Sequence, residues 1–291
     1  MNDNDIVVEA WNTVLFDKFA RFKHLIVAGL SGHSDELLSR RLYRTGERVL
    51  DVGCGFGDTT IRIAGEVGPT GLAVGVDCAE NFVRASEQDA LTSGVRNASF
   101  FAADVQMDDL RGPYDQAFAR FGTMFFNLPG AALRNIRMAL KPGGALNQIV
   151  WRKREDNPWL HEAELRVREI VPVKSHEEAN EVHCGPGPFS MSGPDMVSSM
   201  MRSAGFEGIT FERFDTDICI GRDLDEAVEF AMALGPAGEI IRLAGPEGEE
   251  LKPQVVVALR ETLSRYAGRN GVWAPSSTWF IAARNPAGGQ S

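Results

Sequence analysis

The chain has 291 residues, 44% of them hydrophobic and 24% charged, a composition that buries most of its unfolded surface and excludes a disordered or fibrous chain. Thirty Lys and Arg against forty Asp and Glu give a net charge of −10, which lacks the basic excess needed to neutralise phosphates, so no nucleic-acid partner is expected. The length suits one α/β domain with elaborations.

Val7, Trp11, Val14, Leu15, Phe19, Phe22, Leu25 and Ile26 recur at steps of three and four, the apolar stripe of one long amphipathic helix or two shorter ones. Arg40, Arg41, Arg44 and Arg48 follow, but Asp35, Glu36 and Glu47 lie among them, which reads as a solvated face. From Arg48 the pattern turns to short apolar runs between helical stretches. Strands are predicted at Arg48 to Val52, Leu72 to Val76, Ala98 to Ala102, Gln116 to Ala119 and Ala145 to Trp151. Helices are predicted at Thr59 to Val67, Glu80 to Ser93 and Leu133 to Leu140. This alternation predicts a doubly wound, mainly parallel sheet with helices on both faces. Gly68-Pro69-Thr70-Gly71 and Lys141-Pro142-Gly143-Gly144 read as turns that end a helix before a strand.

After Trp151 the rhythm stops. A helix from Trp159 to Ile170 precedes a Pro- and Gly-rich connector around Gly185-Pro186-Gly187-Pro188, and Pro194 to Ala204 returns to helix with Gly205 just beyond it. Ile209 to Ile218 alternates as a strand, Asp223 to Arg269 is mainly helical with breaks at Gly235-Pro236 and Gly245-Pro246, and Ser277 to Ala282 supplies a last strand. No apolar run approaches the ~20 residues of a membrane span, and Met1 to Asp5 is acidic where a secretory signal would be basic, so the expected location is cytoplasmic. Cys54, Cys78, Cys184 and Cys219 are scattered without a C-x-x-C pair, which predicts reduced thiols and no metal site.

The chemistry concentrates after the first strand, where Val49-Leu50-Asp51-Val52 runs into Gly53-Cys54-Gly55-Phe56-Gly57-Asp58-Thr59. Three alternate glycines let a ligand lie on the backbone, and the helix N-terminus beyond them offers unpaired N–H donors to an anion. The dinucleotide fingerprint G-x-G-x-x-G fails here, because Asp58 stands where its third glycine belongs. Asp51 would repel a pyrophosphate but suits an ammonium group. Asp77, about twenty residues past the glycines at the end of the next strand, suits both hydroxyls of a ribose. An amino acid and a ribose in one ligand point to S-adenosylmethionine.

Asp51-x-Gly53-x-Gly55-x-Gly57 with Asp77 resembles the class I S-adenosylmethionine-dependent methyltransferases. Ala103-Asp104-Val105, Tyr114-Asp115, Ala119-Arg120-Phe121-Gly122-Thr123-Met124-Phe125-Phe126 and Leu140-Lys141-Pro142-Gly143-Gly144 follow in the order of that superfamily's motifs. The Arg-Phe-Gly segment and the Trp151-Arg152 strand ending resemble the small-molecule enzymes grouped with the ubiquinone and menaquinone C-methyltransferases. The likeness covers Arg48 to about Trp151, and Ile209 to Ala283 more weakly. It implies a Rossmann-like α/β fold with a seven-stranded sheet, S-adenosyl-L-methionine as cofactor and S-adenosyl-L-homocysteine as product. It further implies that Asp104 meets the adenine amino group, that Cys78 and Val105 sandwich the adenine ring, and that the helix carrying Trp11 closes over the cofactor. Trp11 reads equally well as plain core.

The expected organisation is an N-terminal helical cover over residues 1–45, a catalytic domain over 46–222 and 270–285, and a helical insertion over 223–269 that forms a lid, an acceptor wall or a homodimer contact. Cofactor contacts are expected from Trp11, Asp51, Gly53, Gly55, Gly57, Asp77, Cys78, Asp104, Val105, Arg120 and Phe121. Arg120 reads either as half of a salt bridge or as a site residue, and its place at a strand's C-terminal end favours the site. Candidate bases are His24, His161 and His183, none in a diagnostic motif. The expected reaction is in-line methyl transfer to an O, N or C atom of a small organic acceptor, without a metal. The alternatives are a noncatalytic S-adenosylmethionine-binding protein, an aminopropyltransferase, disfavoured by the lack of an acidic cluster in Gln116 to Phe126, and a nicotinamide-dependent oxidoreductase.

Overall fold

The computed structural model describes residues 3–172 and 186–288. The strands are β1 Arg48–Val52, β2 Leu72–Asp77, β3 Ala98–Ala102, β4 Tyr114–Arg120, β5 Leu140–Trp151, β6 Glu207–Gly221, β7 Ala267–Gly268 and β8 Gly271–Arg284. They form one sheet in the order β3-β2-β1-β4-β5-β8-β6, with β7 paired to β8 off this path. The first five strands are parallel, while β8 runs antiparallel between β5 and β6. The order reverses between β1 and β4, and a ligand crevice opens at the C-terminal ends of strands around such a switch point.

Both faces are covered, as the near-continuous apolar runs of the parallel strands require. Side chains alternate along each strand. Leu50, Val52, Val74, Val76, Ala117, Ala119, Leu146 and Val150 face one core with the helices Pro129–Ala139, Pro158–Ile170 and Pro194–Ser203. Val49, Ala73, Phe118 and Ile149 face the other, with the helices Ser31–Ser39 and Asp58–Val67. Five helices begin with a proline in their first turn, at Pro129, Pro158, Pro194, Pro236 and Pro246, where its missing N–H has no partner to lose and its fixed φ suits the helix.

The βαβ alternation read from the sequence is present, and the doubly wound sheet with it. Three details differ. The segment Lys141-Pro142-Gly143-Gly144 lies inside β5 as an irregularity, with the β4–β5 register shifted between Tyr114 and Gln116. A side chain at 144 would reach within 2.7 Å of the Asp115 carbonyl, so Gly144 lets the strands stay paired. The span 223–269 holds three helices, Leu224–Leu234, Pro236–Ala244 and Pro246–Ser264, followed by the two-residue β7, an eighth strand too short to show a sequence period. The N-terminal stripe forms α-helices Asp3–Ala10 and Phe16–Arg21 joined by a π-helical turn, Trp11–Leu15, with a second π turn at Leu25–Gly29. No helix of the described residues is long and apolar enough to cross a membrane. No group of three or more His, Cys, Asp or Glu among them is placed to hold a metal.

Candidate active site

The loop between β1 and the helix Asp58–Val67 is made by backbone. The N–H groups of Gly53 and Cys54 both donate to the Val76 carbonyl, at 2.8 and 3.1 Å, which turns the chain over the end of β2. Gly53, Gly55 and Gly57 have φ of 66°, 53° and 75°, the left-handed region that only glycine enters without strain. Gly57 is pressed into the fold, since a Cβ there would stand 2.5 Å from Ser86 Cβ and 2.9 Å from the Phe100 ring. At Gly53 it would stand 3.0 Å from Gly122 Cα, where the turn after β4 comes against the loop. Gly55 differs: an added Cβ would meet no atom within 4 Å, so this glycine borders open space. No side chain caps the helix beyond it, leaving first-turn N–H donors for an anion.

Two carboxylates flank the loop. Asp51 is buried to 1% exposure, and its Oδ2 accepts hydrogen bonds from Thr59 Oγ1 at 2.7 Å and Thr60 Oγ1 at 2.6 Å. Its Oδ1 has no hydrogen-bond partner among the described residues. Burial pushes this carboxyl up to about 6, against the lowering effect of the two threonines. Asp77 accepts the Gly55 N–H on Oδ2 and the Ala79 N–H on Oδ1, each at 3.0 Å. The Cys78 backbone N–H and thiol add further hydrogen bonds to this carboxylate. Burial raises the Asp77 carboxyl and these amides oppose it. An open glycine, an uncapped helix start, a buried acid with an unbonded oxygen and a second acid at the end of β2 together fit the amino acid and ribose of S-adenosylmethionine.

Comparison with known proteins places the chain in a family. Residues 33–222 match the model of the ubiE/COQ5 methyltransferase family. The chain belongs to that family. A demethylmenaquinone methyltransferase of Staphylococcus carnosus is 26% identical over 180 residues, covering 59% of this chain and 72% of that one. The YcgJ protein of Bacillus subtilis superposes with a TM-score of 0.55 at 18% identity, covering 88% of this chain and 100% of the other. Phosphoethanolamine N-methyltransferase 2 of Haemonchus contortus, solved with S-adenosyl-L-methionine, gives 0.58 at 15% identity, covering 96% and 60%. This ubiE/COQ5 family member is therefore an S-adenosylmethionine-dependent methyltransferase with a Rossmann-like fold.

In this methyltransferase Cys78, Asp104 and Val105 lie on the turns beside Asp77, and Arg120 pairs with the first residue of the loop's helix. Cys78 follows Asp77 and is partly buried, with its thiol pushed well above the usual range by burial and then by Asp77. The Ala103 N–H donates to the Asp77 carbonyl, which brings the turn after β3 alongside. There Asp104 Oδ1 accepts from the Gln106 amide N–H at 2.9 Å and Nε2 at 3.0 Å. Val105 is 3% exposed and belongs to the main core. Trp11 lies with its ring 5.0 Å from Phe125 and 6.5 Å from Phe82. Asn12 holds that helix down, its Oδ1 accepting the Asn81 N–H at 2.9 Å and its carbonyl accepting Asn81 Nδ2 at 2.7 Å. Lys23 adds an ion pair to Asp89 at 2.5 Å and lies over the Phe56 ring of the glycine loop.

Arg120 is 8% exposed in its side chain, salt-bridged to Asp58 at 2.8 Å and donating to Ser34 Oγ at 3.2 Å. It ties the end of β4 to the first residue of the loop's helix. Phe121 holds φ +59°, costly for a residue with a Cβ, by stacking on Trp151 at 4.3 Å. Among the described residues, the candidate bases His24 and His161 lie on other elements. His24 pairs with Glu226 at 3.1 Å, His161 lies on the helix Pro158–Ile170, and His183 lies outside the described residues, as does Cys184.

Sequence reasoning passed over His33, which is fully buried. Its ring nitrogens lie 2.9 Å from Ser276 Oγ and 3.0 Å from Thr278 Oγ1, and its ring meets Phe121 and Trp151 edge-on. Burial and then Arg120 lower its pKa to about 3, so it is neutral and structural. Only a fold reveals such a residue. Thr59 and Thr60, by contrast, were readable as the first turn above Asp51.

Proposed function

We propose that this methyltransferase moves a methyl group to a ring carbon or oxygen of a small oxygenated aromatic acceptor, of the demethylmenaquinone-like quinol class. The observation that carries the reading is the aromatic cluster that Trp151, at the C-terminal end of β5, forms with Trp159 and Phe230. The name of the Staphylococcus carnosus relative supports the acceptor class.

S-adenosylmethionine, when bound, supplies a methyl group on a sulfonium, which a nucleophile takes by in-line displacement. The chain's own residues bind and align. Asp51 Oδ1 suits the ammonium group, the first-turn amides after Gly57 suit the carboxylate, and Asp77 suits the ribose hydroxyls. Asp104, Cys78 and Val105 would border the adenine, and Gly55 admits the ligand to the backbone. Arg120 acts through Asp58 by fixing the loop's helix, and Phe121 by carrying Trp151. The N-terminal cover, with Trp11 over Phe82 and Phe125, excludes water from the transfer. The insertion over 223–269 contributes Phe230 to this aromatic cluster.

The test is transfer of isotopically labelled methyl to 1,4-dihydroxynaphthalene and to prenylated demethylated naphthoquinols, with the product mass read by spectrometry. A singly methylated naphthoquinol is the expected product. Transfer only to amines or to a protein would reject the acceptor class while leaving the cofactor site intact.

A further inference from the structure

A row of aromatic rings runs through the interior from the end of β4 to the N-terminal cover. Phe121 lies flat on Trp151, Trp151 meets Trp159 edge-on at 6.5 Å, Trp159 stacks on Phe230 at 6.0 Å, and Phe230 meets Phe22 at 5.4 Å. The row starts at the C-terminal ends of β4 and β5, the edge of an open α/β sheet at which ligands bind.

One polar atom in this row is out of keeping with its surroundings. Trp159 is 5% exposed, and its Nε1 has no hydrogen-bond partner among the described residues. Trp279 Nε1 donates to the Ser192 carbonyl at 2.9 Å and Trp273 Nε1 to the Asn270 carbonyl at 3.1 Å. A second buried donor is in the same condition. Thr123 is 1% exposed with an unpartnered hydroxyl, and its neighbour Met124 accepts the Trp151 backbone N–H on sulfur at 3.4 Å. Buried donors in folded proteins are nearly always bonded, and leaving one unbonded is unfavourable. A phenylalanine at 159 would fill an apolar wall without that penalty. An indole N–H is useful there only if it bonds to something that arrives.

We propose that Trp159 Nε1 is a specificity-determining donor that recognises an oxygen of the methyl acceptor. The inference rests on the reading of the acceptor as an oxygenated aromatic molecule. Trp159 takes no part in methyl transfer itself. It rejects analogues without the oxygen, because they would leave its N–H unbonded in an apolar wall.

The probes are 1-naphthol and its methyl counterpart 1-methylnaphthalene, titrated by ligand-observed NMR into the full chain saturated with S-adenosylhomocysteine. The native protein is expected to favour the naphthol by about tenfold. Trp159→Phe is expected to abolish that preference with S-adenosylhomocysteine affinity unchanged, and Trp159→His, which restores a ring N–H, to regain part of it. A preference that survives in Trp159→Phe would overturn the proposal. So would loss of S-adenosylhomocysteine binding in that variant, which would mark Trp159 as a purely structural residue. If neither naphthol nor 1,4-dihydroxynaphthalene binds the native holoprotein, the acceptor class falls and this inference falls with it. Naphthol binding without discrimination in Trp159→His and native protein alike removes the inference alone.

Discussion

Asp51 carries two opposed demands. Its carboxyl is pushed up to about 6 by burial, so between its unfolded value and about 6 the folded chain holds a proton that the unfolded chain has released. Stability contributed by this group therefore falls as pH rises through that window, by roughly 3 kcal/mol in all. His33 has the reverse sign. Burial lowers it to about 3, so below about pH 6.5 the unfolded chain takes up a proton that the folded chain refuses, and stability falls as pH drops. The two contributions oppose each other between about pH 4 and 6. Asp51→Asn is expected to remove the compensating one, so its melting temperature should fall more steeply than the native protein's as pH is lowered through that range; parallel curves would contradict this. The same ionisation favours the cationic cofactor. Native affinity for S-adenosylmethionine should rise through about pH 6, while Asp51→Asn should bind weakly and without that rise, as read by titration calorimetry. Asp51 and Asp77 were legible because their spacing from the glycines is local. The Arg120–Asp58 pair and the burial of His33 join residues 62 and more than two hundred positions apart, and no local pattern encodes such a pairing.

The glycine loop separates binding from folding within five residues. Gly55 borders open space, so Gly55→Ala adds a methyl group where the ligand must pass while meeting no protein atom. Its left-handed φ adds a penalty of about 1–2 kcal/mol. Cofactor affinity should fall at least about tenfold beyond any loss of stability. Gly57→Ala drives a Cβ into Ser86 and Phe100 and should lower stability by more than about 2 kcal/mol. Chemical denaturation beside cofactor titration separates the two, and equal effects of both variants on both readouts would contradict the division. The strands and helices from Arg48 to Trp151 were legible because apolar runs of fixed period alternate with Gly and Pro punctuation. The Lys141-Pro142-Gly143-Gly144 bulge was not, since a turn and a bulge use the same residues and differ only in what they pair with.

Cover and insertion are packed on each other as well as on the sheet. Phe22 and Phe230 are 2% and 4% exposed in one core, Arg21 pairs with Glu229, and His24 with Glu226. Phe230→Ala is expected to cost about 3–5 kcal/mol, with faster amide exchange in residues 16–30 as well as in 224–264 by hydrogen–deuterium exchange. Changes confined to 224–264 would show an insertion that stands alone. The apolar face of the insertion was visible in the sequence, but its partner was not, because amphipathicity names a buried face without naming what buries it.

The claim on which the rest depends is that the Gly53–Gly57 loop and Asp77 hold the cofactor. Calorimetric titration of S-adenosylhomocysteine into the native protein and Asp77→Ala tests it most directly. Loss of charge-assisted bonds to two ribose hydroxyls, roughly 1.5–3 kcal/mol each, should weaken binding on the order of 100-fold or more in the variant, with its fold intact by circular dichroism. Equal affinity in the two proteins, or no heat with the native one, would contradict the account.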